Sequence, residues 1–183
     1  PLSIASPVDA IAAGISYVPE DRQEQGAVLP LSIRENITLA SIATHVRNFF
    51  LSRPSELDAV RVLGKRLDVR AAHWEQRLGD LSGGNQQKVV IAKWLAAKPK
   101  VIILDEPTKG IDIGSKAAVH DFIGELAEEG LAVILISSEL PEIMGLADRV
   151  VVMQEGRISN IFKRGTWSAE TIVSAATGAR KAA

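Results

Sequence analysis

Leu81-Ser82-Gly83-Gly84-Asn85-Gln86-Gln87-Lys88 and, a short step on, Val101-Ile102-Ile103-Leu104-Asp105-Glu106-Pro107-Thr108 are the stretches on which the reading of this chain turns. The first reads as a loop that opens a helix. Its paired glycines let backbone N–H groups come close to a ligand, and Ser82 adds a hydroxyl donor. From Asn85 to Lys98 the spacing predicts a helix with Val89, Ala92, Leu95 and Ala96 at helical intervals. The N–H groups and partial positive charge of a helix N-terminus suit a phosphate. The second stretch predicts a buried strand, Val101 to Leu104, that delivers two carboxylates at its C-terminal end. Ligands of open α/β sheets sit at that end. Each half alone also fits a plainer structure, a capped turn or a solvated strand end. Together, with Asp112 close behind Asp105, they point to nucleoside triphosphate chemistry.

Composition narrows the class. The chain has 183 residues, enough for a domain with a proper core, and a net charge of -1. That balance does not recommend a nucleic-acid backbone as partner. There is no cysteine, which excludes disulfides and thiolate metal sites. Apolar runs such as Leu131 to Ile136 are too short to span a bilayer. No signal peptide is visible, and the first residue is Pro1 rather than Met, which predicts a fragment or processed piece.

Outward from the central stretches, Pro7 to Gly14 predicts a short helix and Ile15 to Val18 a strand ended by Pro19. Glu20 to Gly26 reads as a charged, glycine-terminated loop. Leu31 to Leu78 reads as largely helical, with Ser32 and Glu35 at capping-box spacing. Phe49, Phe50 and Leu51 break the period, and Pro54 opens a second helix with Leu57, Val60, Leu63, Gly64 and Leu67 along one side. His73 and Trp74 read as isolated. Ser115 to Glu129 predicts a helix closed by Gly130, and Leu131 to Ile136 a buried parallel strand. Glu139 to Leu146 predicts a helix that tolerates Pro141 in its first turn. Val150 to Met153 and Ile158 to Phe162 flank a hairpin turn. Ser168 to Ala176 predicts an amphipathic helix, and Gly178 to Ala183 a frayed end.

Leu81 to Lys88 resembles the signature motif of ATP-binding cassette (ABC) proteins, and Val101 to Thr108 resembles their Walker B strand. Lys109-Gly110-Ile111-Asp112 sits where that family carries its D-loop. Val18-Pro19-Glu20-Asp21-Arg22 resembles the second nucleotide-binding half of ribose/galactose/xylose-type sugar importer ATPases. The resemblance implies an α/β fold: a partial nucleotide-binding domain, mostly parallel sheet flanked by helices. It places a helical subdomain at about 27–95, a Walker B/D-loop/switch core at about 99–162, and a C-terminal helix and tail at 163–183.

It also implies ATP and Mg²⁺ as cofactors. Ser82, Gly83, Gly84, Asn85 and Gln86 would complete an ATP site whose P-loop belongs to another nucleotide-binding half. Asp105 would hold the metal, and Glu106 would act as general base or water-orienting group. Asp112 would link two sites across the interface. Two positions depart from the family: Glu20 stands where a metal-reaching Gln is usual, and Ser138 where a switch His contacts the γ-phosphate. A Glu20 carboxylate can still ligate Mg²⁺. The other implied partners are an integral-membrane permease, near Leu29 to Asn36 and Phe49 to Leu57, and indirectly a periplasmic sugar-binding protein. The implied location is peripheral, on the cytoplasmic face of the inner membrane.

The Gly-x-x-x-x-Gly-Lys-Ser/Thr pattern does not occur in these residues; the Gly64-Lys65 pair has Ala59 and Arg66 at the flanking positions. The expectation is that this chain alone binds ATP weakly or not at all. Two other readings stay open. One is a permease-docking interaction module without catalysis. The other is a DNA- or ribosome-associated cassette ATPase, against which the neutral charge and the lack of sustained heptads argue.

Overall fold

A computed structural model describes residues 2–178, which form two compact units, one ending at Ile136 and one starting at Ser137. The expected frayed residues beyond Gly178 lie outside the described residues. No helix among the described residues is long and apolar enough to cross a membrane.

The first unit is built on a parallel sheet of order β1-β4-β5, with β1 Ile15–Val18, β4 Val101–Asp105 and β5 Ala132–Ile136. Tyr17 pairs with Ile103 and Ile103 with Ile134, so these three share one face. Val18, Ile102 and Leu104 point to the other face and are fully buried. Helix α4 (Gly83–Ala96) packs on β1, and α5 (Ile113–Glu128) on β5. Val89, Val90, Ile91 and Ala92 of α4 and Val119, Phe122, Ile123 and Leu126 of α5 are buried in the core.

Two expectations need correction here. The strand at 131–136 is parallel but not buried: Ile134 and Ile136 stay 50% and 46% exposed. β5 is an edge strand, and α5 is the helix packed on it, so one face keeps its apolar residues in contact with solvent. Helix α4 starts and stops two residues earlier than the apolar spacing indicates. Gly83 and Gly84 form its first turn, and Lys98, at φ 52, leaves the helical region after Ala97.

Before the sheet, α1 (Pro7–Ala12) is capped by Ser6 and followed by Gly14 at φ 79. The segment read as a loop at 20–26 contains a π-helical turn, Arg22–Gly26, capped by the Asp21 carboxylate, which accepts from the N–H groups of Gln23 and Glu24. A short acidic side chain at the cap organised what composition alone makes a solvated loop.

Region 31–78 is less helical than expected. α2 (Ile33–Thr38) carries the anticipated capping box between Ser32 and Glu35 and buries Ile33 and Ile37. After a 3₁₀ segment the chain forms a small hairpin, β2 Val46–Arg47 and β3 Phe50–Leu51, and then α3, Arg53–Arg66. The Phe-Phe-Leu break in the helical period is this hairpin. Trp74 is not isolated: its ring lies on Gly64 so closely that a Cβ there would sit 2.4 Å from the indole. The Gly64-Lys65 pair is thus part of α3, with its glycine required by packing.

An ionic network ties this region together. Arg34, 8% exposed, donates to Glu56 (2.8 Å) and to Glu75 (2.8 Å), and the Thr38 hydroxyl donates to the other Glu56 oxygen at 2.7 Å. Arg53 closes on Glu75 at 3.2 Å. Glu56 is 2% exposed, so its charge is compensated almost wholly by Arg34 and Thr38.

In the second unit, α6 (Leu140–Leu146) accepts Pro141 in its first turn. The hairpin β6 Arg149–Gln154 and β7 Arg157–Lys163 turns through Glu155 and Gly156, both at positive φ. α7 (Ala169–Thr177) begins with a Ser168/Thr171 capping box and ends at Gly178 in the left-handed conformation. Val150, Val152 and Ile172, with Phe162 and Trp167, form that unit's own core.

Candidate functional site

Helix α4 opens with Ser82 at the N-cap, and the Ser82 hydroxyl makes no capping bond to the helix. The N–H groups of the first turn therefore keep their donor capacity, and with the helix dipole they favour an anion. Ser82 Oγ instead accepts from Asn85 Nδ2 at 3.0 Å, while Asn85 Oδ1 accepts from the Arg70 N–H at 2.8 Å. Ser82, Gly84, Asn85 and Asp112 line one cavity of about 410 Å³, together with Arg70 and Lys88. Gln86 does not join them. It is buried, with Nε2 donating to the Leu81 carbonyl at 3.0 Å and Oε1 left without a partner.

The two glycines are required for different reasons. A Cβ on Gly84 would lie 2.5 Å from Ser115 Oγ and 2.9 Å from Ser115 Cβ, so α5 approaches α4 through this gap. A Cβ on Gly83 would meet Arg22 Nη2 at 2.8 Å, the far end of a flexible side chain. Gly84→Ala is expected to destabilise the chain by about 1–3 kcal/mol through overpacking, and Gly83→Ala by well under half of that. Urea unfolding of the two variants checks the order, and Gly84→Ala/Ser115→Gly should recover most of the loss.

Asp112 caps α5, accepting from Ser115 N at 3.0 Å and Ser115 Oγ at 2.7 Å, and these bonds hold its pKa below the usual carboxylate value. Asp105, at the end of β4, accepts from the Tyr17 hydroxyl at 2.8 Å. Glu106 follows at φ 45, a left-handed conformation forced on a non-glycine residue that precedes a proline. Its N–H bonds to the Ile136 carbonyl at 2.9 Å, so the strand ladder continues through the strained residue.

Glu20 is ion-paired with Lys109, whose pKa is raised first by that hydrogen bond and further by Glu106. Arg22 donates to the Lys109 carbonyl at 3.0 Å and the Gly110 carbonyl at 3.4 Å. Buried Lys93 of α4 donates to the Gly26 carbonyl, and burial lowers its pKa. The 20–26 segment is thus fastened both to the loop after Asp105 and to the helix that begins at Gly83. Ser138 is an exposed residue of the second unit.

Tyr17, Arg22, Lys109, Arg70 and Lys88 were not singled out from sequence. Tyr17 is the only tyrosine in the chain, which makes it directly observable. The hydrogen bond to Asp105 is the main cause that raises its pKa above the ordinary value near 10. The stabilisation from this pair is therefore present below pH of about 10 and lost as pH rises through the raised value. A tyrosinate absorbance titration should show a midpoint above that of free tyrosine, and Asp105→Asn should lower it.

Residues 6–109, over half of the chain, match the ABC transporter family, and the chain belongs to it. Ribose import ATP-binding protein RbsA 1 of Rhizobium meliloti (strain 1021) is 59% identical over 97% of this chain and 35% of its own length. The corresponding protein of Jannaschia sp. (strain CCS1) is 60% identical over 96% and 34%, and that of Lactococcus lactis subsp. cremoris (strain SK11) 46% over 98% and 36%. The chain thus spans about a third of the length of these curated relatives. Among solved structures, the ATP-binding cassette MJ0796, dimeric in a post-hydrolysis state with ADP and Pi, matches with a TM-score of 0.73 at 19% identity, over 90% of this chain and 70% of that one. A crystal form of the cassette MJ1267 matches with a TM-score of 0.75 at 20% identity, over 93% and 71%. At such identity these likenesses establish the cassette fold.

Proposed function

We propose that the chain is part of the ATPase subunit of a monosaccharide importer, and that its signature segment completes an ATP site shared with another nucleotide-binding half. The observation that carries this is the open N-terminus of α4 at Ser82-Gly83-Gly84, where Ser82 and Gly84 line a cavity with Asp112, Arg70 and Lys88. In this reading the first-turn N–H groups and the Ser82 hydroxyl bind the γ-phosphate, with Asn85 orienting that hydroxyl. They stabilise charge during in-line transfer to water, by position and electrostatics. Buried Gln86 serves by holding the 78–81 turn rather than by touching nucleotide.

In the chain's own half-site, Asp105 would hold Mg²⁺ directly or through water, and Glu106 would orient or deprotonate the attacking water. The donor set fits, because a Mg²⁺ finished by waters and phosphate needs only one or two carboxylates. Asp105 can supply one, oriented by Tyr17. When bound, the ion supplies Lewis-acid neutralisation of phosphate charge. Glu20, paired with Lys109, is the weaker candidate for a second ligand. Ser138 stands at the switch position, and Asp112 is the link between sites.

Residues 27–95 form the helical subdomain in this proposal, 99–162 the catalytic core and 163–183 a terminal helix and tail. The permease docks on the helical subdomain at the cytoplasmic face of the membrane, and a periplasmic binding protein acts through it. The relatives' names, which state ribose import, support the substrate class. The test is Mg-ATP hydrolysis by this chain mixed with a separate half that carries an intact P-loop. Hydrolysis only in the mixture is the expected result. No hydrolysis from a mixture of folded components would favour the interaction-module reading.

A further inference from the structure

Arg70 is held beside the signature segment by bonds that leave its side chain out. After α3 the chain reverses through Asp68, at φ 48, and the Val69 N–H donates to the Gly64 carbonyl at 2.8 Å. Lys88 Nζ of α4 donates to the Asp68 carbonyl at 2.9 Å, and the Arg70 N–H donates to Asn85 Oδ1 at 2.8 Å. Asn85 in turn donates to Ser82 Oγ at 3.0 Å. One asparagine therefore joins the backbone of Arg70 to the signature hydroxyl, and the place of Arg70 relative to Ser82 is set by main-chain bonds.

The guanidinium takes no part in this. The Arg70 side chain is 82% exposed and makes one ion pair among the described residues, a 3.5 Å approach of Nε to Asp68. That carboxylate is itself 73% exposed and shared with Lys88 at 3.7 Å. An exposed pair of such length contributes little to stability. Yet Arg70 lines the cavity of about 410 Å³ together with Ser82, Gly84 and Asn85. The other cation there, Lys88, has a side chain only 12% exposed and is engaged by the Asp68 turn. Asp112 is engaged by the N–H and hydroxyl of Ser115. Arg70 is the cation of the cavity that stays in solvent.

We infer that Arg70 is a further nucleotide-binding residue, whose guanidinium takes the terminal phosphate of the ATP that a partner half presents to Ser82. This rests on the shared-site reading above and adds to it a residue outside the signature. The planar fork of an arginine suits two phosphate oxygens, and such a charge-assisted pair is stronger than a loose contact with an exposed carboxylate. Ser82 and the first-turn N–H groups are neutral donors; Arg70 adds a full positive charge. The terminal phosphate is anionic both before and during transfer. The contact therefore favours substrate and transition state alike, which puts its effect on KM rather than on kcat.

The experiment has two arms. In the first, Mg-ATP hydrolysis is measured for the chain mixed with a half that carries an intact P-loop. Arg70→Ala should raise KM at least roughly tenfold with kcat changed by less than about twofold, and Arg70→Lys should recover part of the loss. Arg61→Ala makes the same change of charge on exposed α3 outside the cavity and should leave KM as it is. Alanine still supplies the N–H that Asn85 accepts, so the fold is retained, which circular dichroism and urea unfolding verify. In the second arm the chain alone is titrated with inorganic tripolyphosphate at low salt, followed by the amide NMR shifts of residues 82–85. Arg70→Ala should weaken this binding by roughly tenfold. An unchanged KM in Arg70→Ala overturns the inference and leaves the shared-site reading standing. An equal rise of KM in Arg61→Ala also overturns it, as an effect of net charge. A wild-type mixture without hydrolysis counts against the shared site itself, and the second arm then decides for Arg70. Tripolyphosphate binding that is absent, or unaltered by Arg70→Ala, overturns its role; binding weakened as expected upholds it.

Discussion

Gly83→Asp is expected to lower ATP hydrolysis by the mixed system at least roughly a hundredfold, a loss of about 3 kcal/mol of transition-state stabilisation. The local geometry gives two independent reasons. A carboxylate at the first position of α4 puts negative charge at the helix end where the proposed site receives phosphate. It also lies against Arg22, whose Nη2 would be 2.8 Å from the new Cβ, and competes for the guanidinium that binds the carbonyls of Lys109 and Gly110. Glu106→Gln should cost far less, because we propose that the signature serves a competent partner site while the chain's own half-site hydrolyses slowly or not at all. Glu20 in place of Gln and Ser138 in place of His are the departures that motivate this asymmetry. Steady-state rates for the two variants decide it: equal losses would sink the asymmetric reading, while retained hydrolysis in Gly83→Asp would remove the signature from the mechanism.

The second large effect is on stability and needs no nucleotide. Glu56→Ala should destabilise the first unit by about 1–3 kcal/mol, since it removes a buried acceptor of Arg34 Nη1, while Glu75 still accepts from Arg34 Nε and Nη2 and the Thr38 hydroxyl keeps the Arg34 carbonyl as its acceptor. Urea unfolding followed by circular dichroism measures this. Replacing both partners, Arg34→Met/Glu56→Met, should recover a substantial part of the loss, because a well-packed apolar pair carries no desolvation penalty. A Glu56→Ala variant as stable as wild type would show that the network contributes nothing net. Glu75, whose pKa Arg34 lowers, adds a pH arm: its contribution is present at neutral pH and fades as pH falls through the depressed value.

Much of the molecule could be read from local pattern. The helix after Ser82-Gly83-Gly84, the Ser32/Glu35 capping box, and the turn at Glu155-Gly156 all rest on interactions a few residues apart, and the apolar run before Asp105-Glu106 marks a strand by residue type. Periodicity and capping chemistry act at that range, so sequence carries them directly. The motif stretches at 82–86 and 105–106 were picked out by their residue types and spacing and by resemblance to a known family.

What required the tertiary structure lies between residues far apart in the chain. Tyr17 reaches Asp105 only because β1 and β4 pair in one register; Arg22 spans to Lys109 and Gly110; Arg34 gathers Glu56 and Glu75. None of these leaves a periodic trace. Gln86 shows the reverse: a position inside the motif whose side chain the packing turned inward. The apolar run at 132–136 likewise signalled a strand but not its cover, because hydropathy reports what a residue prefers, and exposure depends on which neighbours the fold brings to each face. Sequence alone determined the kind of element and the chemistry it carries; the fold decided which side chains meet, because such contacts are set by register and packing across the whole unit.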